Sequence, residues 1–304
     1  MSGSDAAARA ESIRHRLRNE LRARGEDLQH GLPRYAVERF LYRLGRSRHR
    51  EAFVLKGATL FAMWGTTYRP TRDIDFTGYG SPEPDDVVAA FREICDTPDD
   101  VDALVFDPDA ITAEPIRDGS EYAGHRIRLK ASLGGSDITV QVDVGFGNAI
   151  VPGPEEREFR TMLGDPPPRI LAYPPESVIA EKLHAMASLG ERNSRYKDFY
   201  DVYAMADAFR FERATLAQAV RATFERRRTL PSAALPVALT APFFADPARA
   251  SQWRAYVNRN GLTDAPDDLM QVGERISAFL QPVWIALVDQ DDLQGEWKDG
   301  GPWR

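Results

Sequence analysis

Apolar positions divide the chain into two halves of different rhythm. Ile13, Leu17 and Leu21 recur at four-residue spacing and predict a helical arm within 9–45, broken at Gly25. Pro33 then precedes a second stripe, Val37, Phe40, Leu41 and Leu44, closed by Gly45. Phe53-Val54-Leu55 reads as a short buried strand that runs into Lys56-Gly57-Ala58-Thr59, with a helix over 60–64. A strand over 71–77 and a helix over 84–95 follow. The runs 126–133 and 138–146 alternate polar and apolar residues around Gly134-Gly135-Ser136-Asp137, which predicts a hairpin. Residues 151–175 are rich in Pro and Gly and read as a connection. Helical patterns then cover 175–189, 196–209, 215–228, 247–260 and 267–288. The polar tail from Asp289 reads as loosely held. The expectation is an α+β protein, a mixed β-sheet with flanking helices followed by a helical C-terminal half, divided into 1–165 and 166–304.

Charge refines this picture. The 304 residues carry a net charge of −7, yet residues 1–50 hold twelve arginines against six acids, so this arm is +6 and the remainder −13. Such a split suits a surface facing nucleic acid or phosphate, and equally suits a helical arm with solvated arginines. The single cysteine, Cys95, excludes an internal disulfide and any cysteine-based zinc site and points to a reducing compartment. No apolar run is long enough to span a bilayer and no signal-peptide core is evident, so a cytoplasmic protein without membrane partners is expected.

The most informative string is Asp73-Ile74-Asp75-Phe76. On a strand Asp73 and Asp75 project together, while Ile74 and Phe76 point to the other face. Two such carboxylates repel unless a cation sits between them. Hard oxygen donors suit Mg²⁺, with Mn²⁺ as a substitute, held by one or two carboxylates plus phosphate oxygens. An edge strand with solvated acids is the alternative. Upstream, Lys56-Gly57-Ala58-Thr59 lies between strand and helix, where a glycine admits phosphate to backbone N–H groups at a helix N-terminus. Downstream, Asp143 projects from Val140-Gln141-Val142-Asp143-Val144, a strand that tolerates an acid poorly unless it is paired or metal-bound. Three carboxylates on one sheet face are the equipment of in-line phosphoryl or nucleotidyl transfer. Arg126, Arg128 and Lys130 share a face of the neighbouring strand, either as contacts to polyphosphate or RNA or as an exposed cationic surface.

The order Gly57-Ala58, Asp73-Ile74-Asp75, Asp143 resembles nucleotidyltransferases of the polymerase-β type. More narrowly, four strings resemble the AbiEii/AbiGii toxin family: 34–44 through 53–61, Arg69-Pro-Thr-Arg-Asp-Ile-Asp-Phe, Ala180-Glu-Lys-Leu-His-Ala-Met and Arg195-Tyr-Lys-Asp-Phe-Tyr-Asp-Val-Tyr. The resemblance covers roughly residues 10–210. Relatives have Gly-Ser or Gly-Gly where this chain has Gly57-Ala58, so a hydroxyl contact to phosphate is missing or comes from Thr59.

The resemblance implies a nucleotidyltransferase-like sheet and the toxin of a type IV-like toxin–antitoxin or phage-defence pair, with a separately encoded antitoxin. It implies transfer of a nucleotide from an NTP to RNA, a tRNA 3′ end in characterised relatives. Asp73, Asp75 and Asp143 would hold the metal, with Asp143 alternatively activating the acceptor. Lys56, Gly57, Ala58, Thr59, Arg69 and Thr71 would line the nucleotide site. Lys182 and Asp198 would join the catalytic set; by composition alone Lys182 would snorkel to solvent. Asp201 shares the Asp198 face, and His184 reads as a packing histidine rather than a base. Nucleotidylation of a small molecule or a protein, or a silent binding module on the same scaffold, are the competing readings.

Overall fold

The computed structural model describes residues 3–64, 73–99, 101–116, 124–289, 293–298 and 300–304. They group into two units, one drawn from 1–65, 71–147 and 155–172, the other from 148–154 and 173–304.

The first unit begins with α1 (Gly3–Ala23) and α2 (Leu28–Arg46); Asp27 caps α2 by accepting from the N–H of Gln29 at 2.6 Å. Then come β1 (Phe53–Lys56), α3 (Thr59–Trp64), β2 (Asp73–Gly78), α4 (Pro84–Cys95), β3 (Val105–Pro115), β4 (Gly124–Leu133), β5 (Ser136–Phe146), β6 (Glu155–Glu158) and β7 (Arg169–Ala172). The strands form one seven-stranded mixed sheet in the order β3-β4-β5-β2-β1-β7-β6. The β2–β5 and β1–β7 pairs are parallel and the others antiparallel. Ile127, Leu129, Val140, Val142 and Val144 are buried. Phe40 of α2 stacks on Phe91 of α4 at 5.4 Å, and Phe53 of β1 meets both Phe91 and Phe76 edge-on. This cluster occupies the sheet face opposite Asp73 and Asp75, because Ile74 and Phe76 alternate with them.

The connection expected over 151–175 in fact contains β6 and β7. Its charged residues, Glu155, Glu156, Arg157 and Glu158, belong on an outer strand, where one edge stays in water. The expected hairpin forms from β4 and β5 around Gly134 and Gly135. The basic arm proves partly structural. Arg39 is fully buried and its guanidinium bonds to Asp99 and Asp102, while Arg43 forks onto Asp102 at 2.7 and 3.0 Å. These two charges are neutralised inside the unit rather than offered to a partner.

Beside them Glu38 is buried, and its Oε2 accepts from the N–H of Met162 at 2.7 Å. Burial pushes its carboxyl up to about 7, against the opposing pull of that N–H and of Arg39. A carboxyl raised in the folded state contributes stability that is complete below the unfolded range, near 4.5, and is lost as pH rises through 7. Urea titrations between pH 4.5 and 7.5 should therefore show Glu38→Gln losing part of the wild type's decline in stability with rising pH. Identical slopes for the two proteins would refute this origin.

The second unit carries α5 (Pro175–Leu189), α6 (Tyr196–Ala208), β8 (Phe211–Glu212), α7 (Arg213–Arg226), α8 (Ala241–Phe244), α9 (Pro247–Asn260), α10 (Leu269–Asp289) and β9 (Glu296–Trp297). Among the described residues no helix is long and apolar enough to cross a membrane. The described residues of the tail are held in place, where a loose segment was expected. Trp297 is 1% exposed and donates its indole N–H to the carbonyl of Ala206 at 2.6 Å. Trp303 stacks on Phe279 with ring planes 8° apart. The polar composition of the tail conceals two aromatic anchors.

Candidate functional site

The sheet of the first unit sets five charged residues in one row. Register pairs Glu114 with Arg126, Arg126 with Asp143, Asp143 with Asp75, and Asp75 with Lys56. Residues directly opposite each other place their side chains on the same face, with Cβ atoms about 5 Å apart. Read from β3 to β1, the row runs acid, cation, acid, acid, cation. Its anomaly is the centre, where Asp143 and Asp75 are neighbours on parallel strands. Asp73, two residues before Asp75, adds a third carboxylate to that face.

Arg126 meets the Asp143 carboxylate as a fork, Nε to Oδ1 at 2.9 Å and Nη2 to Oδ2 at 2.7 Å. Its pKa is driven up by the bond to Asp143 first, with further help from the charges of Asp143, Asp73 and Glu114. The other two cations of this strand are also engaged, Arg128 with Glu114 at 2.6 Å and Lys130 with the Thr139 hydroxyl at 2.9 Å. Of the choices open for Asp143, the structure displays the paired one, and its partner is a residue that sequence had placed only on a cationic face. A match of alternating positions 17 residues apart across the hairpin was the available signal.

The turn at Lys56-Gly57 abuts this row. Gly57 has φ +74°, the left-handed region that favours glycine, and a Cβ there would lie 2.2 Å from Oδ2 of Asp75. The carboxylate of Asp75 thus occupies the space that glycine leaves open. Ala58 is buried, and Thr59, at the start of α3, donates its hydroxyl to the carbonyl of Asp73 at 3.3 Å. That bond ties the helix to the strand carrying the acids, so the hydroxyl sought at position 58 is used here for positioning. Arg69 and Thr71 lie outside the described residues.

The donor chemistry of the row fits a hard divalent cation. Asp73 and Asp75 supply carboxylate oxygens from one strand, the donor type that Mg²⁺ takes together with phosphate oxygens. Among the described residues no three acidic, imidazole or thiol groups converge as a ready cluster. The Arg126 fork turns the Asp143 oxygens toward β4.

In the second unit Lys182 of α5 sends its ammonium inward, to Oδ1 of Asp198 at 3.0 Å and Oδ2 of Asp201 at 2.6 Å. The lysine side chain is 12% exposed, the two acids 3% and 1%. Arg195 stands 2.7 Å from the other oxygen of Asp198. Burial works to raise the Asp198 pKa, but Lys182 and Arg195 outweigh it and hold the carboxyl below its ordinary value. Snorkelling, the expectation from composition, is overturned because two carboxylates one turn apart on α6 offer the ammonium a better partner than water. His184 is a packing residue: it sits edge-on to Phe224 at 4.8 Å and bonds the Thr229 hydroxyl at 2.9 Å. Burial, aided by Arg227, lowers its pKa to about 4, so it is neutral at pH 7.

Among curated proteins none matches the chain. Two solved structures from Helicobacter pylori are similar to it. JHP933 is 15% identical, with a TM-score of 0.47 over 83% of this chain and 90% of that one. A second, described as a candidate nucleotidyltransferase, is 13% identical, with a TM-score of 0.44 over 84% and 94%. The family model for the nucleotidyl transferase AbiEii toxin of type IV toxin–antitoxin systems matches residues 39–281, which include the acidic row and the Lys182 cluster. The chain therefore belongs to the AbiEii toxin family and is a nucleotidyltransferase of the toxin–antitoxin class.

Proposed function

We propose that this enzyme transfers a nucleotide from an NTP to an RNA acceptor, a tRNA 3′ end, with Mg²⁺ (or Mn²⁺) held by Asp73, Asp75 and Asp143, and that a separately encoded antitoxin restrains it. The observation that carries the reading is the adjacent pair Asp75–Asp143 at the centre of an otherwise alternating row, beside a glycine turn. A bound divalent ion would neutralise the triphosphate and stabilise charge on the departing pyrophosphate. Lys56 and the N–H groups after Gly57 orient the phosphates. Asp143 has a second role open to it: once Arg126 releases it, its carboxylate accepts the proton of the attacking hydroxyl. Arg69 and Thr71 are assigned to the nucleotide site, and Lys182 and Asp198 to the catalytic set. Addition to the acceptor end would block aminoacylation, stop growth and serve defence against phage.

Incubation with RNA, Mg²⁺ and each labelled NTP in turn should label RNA, and Asp75→Asn should abolish labelling with an unchanged melting temperature. Labelling that survives ribonuclease treatment would redirect the reading to a protein or small-molecule acceptor, and an active Asp75→Asn protein would overturn it.

The fork at Asp143 makes a second expectation. A cation ligated by this carboxylate competes with Arg126, and a charge-assisted bond contributes about 1.5–3 kcal/mol. Calorimetric titration without nucleotide should show Mn²⁺ binding Arg126→Gln about tenfold more tightly than wild type, roughly 1.4 kcal/mol. Equal or weaker binding would show that the fork and the metal do not compete.

A further inference from the structure

A groove in the second unit is lined by cationic and polar side chains. We propose that the cleft between the first turn of α6 and α9 binds the phosphodiester backbone of single-stranded RNA, an inference that rests on RNA being the acceptor. The cleft, about 470 Å³, is lined by Ser194, Arg195, Lys197, Gln252, Tyr256 and Arg259 among others, with no acidic side chain. That volume is within the range of ligand clefts, roughly 300–1,000 Å³.

Charge identifies the occupant. In a chain of net charge −7, residues 191–198 carry Arg192, Arg195 and Lys197 against Glu191 and Asp198, and α9 carries Arg249, Arg254 and Arg259 without an acid; Arg195 is paired with Asp198 and Arg249 with Glu191. Lys197 on one wall and Arg259 on the other therefore make the groove cationic in an acidic protein, which favours a polyanion there. Gln252, Ala255, Tyr256 and Arg259 follow helical spacing, so one stripe of α9 forms one wall.

The groove is preformed. Tyr196 donates its hydroxyl to Gln252 at 2.8 Å, and its ring packs with Trp253 and Tyr256 at 6.3 and 6.4 Å. Arg249 is spent on construction: it donates to the carbonyls of Asn193 at 3.1 Å and Glu191 at 2.6 Å, which fixes the 191–195 segment against α9. Lys197 and Arg259, both exposed, are set on opposite walls of this frame. Cations beside a half-buried tyrosine are the combination that tracks a sugar–phosphate chain while offering a base a face to stack on. An acidic peptide would use the cations and leave the aromatic face unused, so the tyrosine favours RNA.

Fluorescence anisotropy with a labelled single-stranded RNA of 12 nucleotides and the full chain tests the assignment. Lys197→Glu with Arg259→Glu should weaken binding at least tenfold and flatten the salt dependence by about 1.4, the slope expected for two phosphate contacts on a single strand. The same reversal at the exposed arginines of the arm, Arg18→Glu with Arg22→Glu, should change affinity less than threefold. Tyr256→Ala, with its melting temperature checked, should cost at least fivefold. Unaltered affinity in the groove variant, or a loss confined to the arm variant, overturns the proposal, as does a polyglutamate peptide that competes as well as RNA. If the wild-type protein binds no RNA at all, the RNA-acceptor reading fails with it. Wild-type binding that the groove variant retains sinks the groove alone.

Discussion

Gly57→Ala is expected to lower nucleotide transfer at least about a hundredfold while leaving the protein folded. Two costs act together at this position. An alanine must adopt φ +74°, which costs roughly 1–3 kcal/mol. Its methyl group would also stand 2.2 Å from Oδ2 and 3.0 Å from Cβ of Asp75, so the carboxylate or the turn has to move. Displacing a group that orients phosphates by about 1 Å is enough for a hundredfold loss. The hairpin supplies the control. Gly135 has a similar φ of +76° and open space around its missing Cβ, so Gly135→Ala carries the backbone cost without the crowding. Paired assays of labelled-nucleotide incorporation and thermal melting should show both variants folded, the larger drop in melting temperature in Gly57→Ala, and lost transfer only in Gly57→Ala. Near-wild-type transfer by Gly57→Ala would remove Asp75 from its assigned place over the turn.

Lys182→Ala should destabilise the second unit by about 3–5 kcal/mol. It removes the ammonium from Asp198 and Asp201, each almost wholly buried, while Arg195 stays 2.7 Å from Asp198. Lys182→Met combined with Asp198→Asn and Asp201→Asn removes all three charges and should recover much of the loss, because an absent buried pair costs far less than a broken one. The pH dependence has a definite sign. Asp198 is held below its ordinary value in the folded protein, so its contribution is present above the unfolded pKa of 3.8 and is lost as pH falls through the folded value. The gap between wild type and Lys182→Ala should therefore narrow in acid. Denaturant unfolding at pH 7 and pH 3.5 measures this, and a gap that widens in acid would show that the ion pair is not its source. Lys182→Arg keeps the charge and separates the two duties of the residue: it should remain folded yet lose transfer if the ammonium itself takes part in the reaction.

Local chemistry made some elements legible and nonlocal pairing concealed others. The hairpin at Gly134-Gly135 and the helices opened by Pro84, Pro175 and Pro247 follow from turn and capping residues within a few positions. The strand β3 was hidden because Asp107, Asp109 and Glu114 give an outer strand the look of a solvated loop. Alternation placed Asp73, Asp75 and Asp143 on strand faces, but their meeting depends on the parallel register of β2 with β5, which no local window contains. The Arg126 fork and the inward turn of Lys182 belong to the same class. Each is decided by a partner from another element. Arg39 and Arg43 show the reverse error: a charge count treated them as surface, whereas Asp99 and Asp102 had already claimed them.

The parallel pairing of β2 with β5 also bears on how the chain behaves while it is being made. Asp73 and Asp75 leave the ribosome long before Asp143, whose strand β5 lies directly beside β2 in the sheet. A nascent chain halted anywhere before β5 therefore carries the two aspartates without their neighbour, and translation must pass Phe146 before the row can be assembled. For a toxin this is a form of timing: abortive products of its own synthesis lack the assembled row.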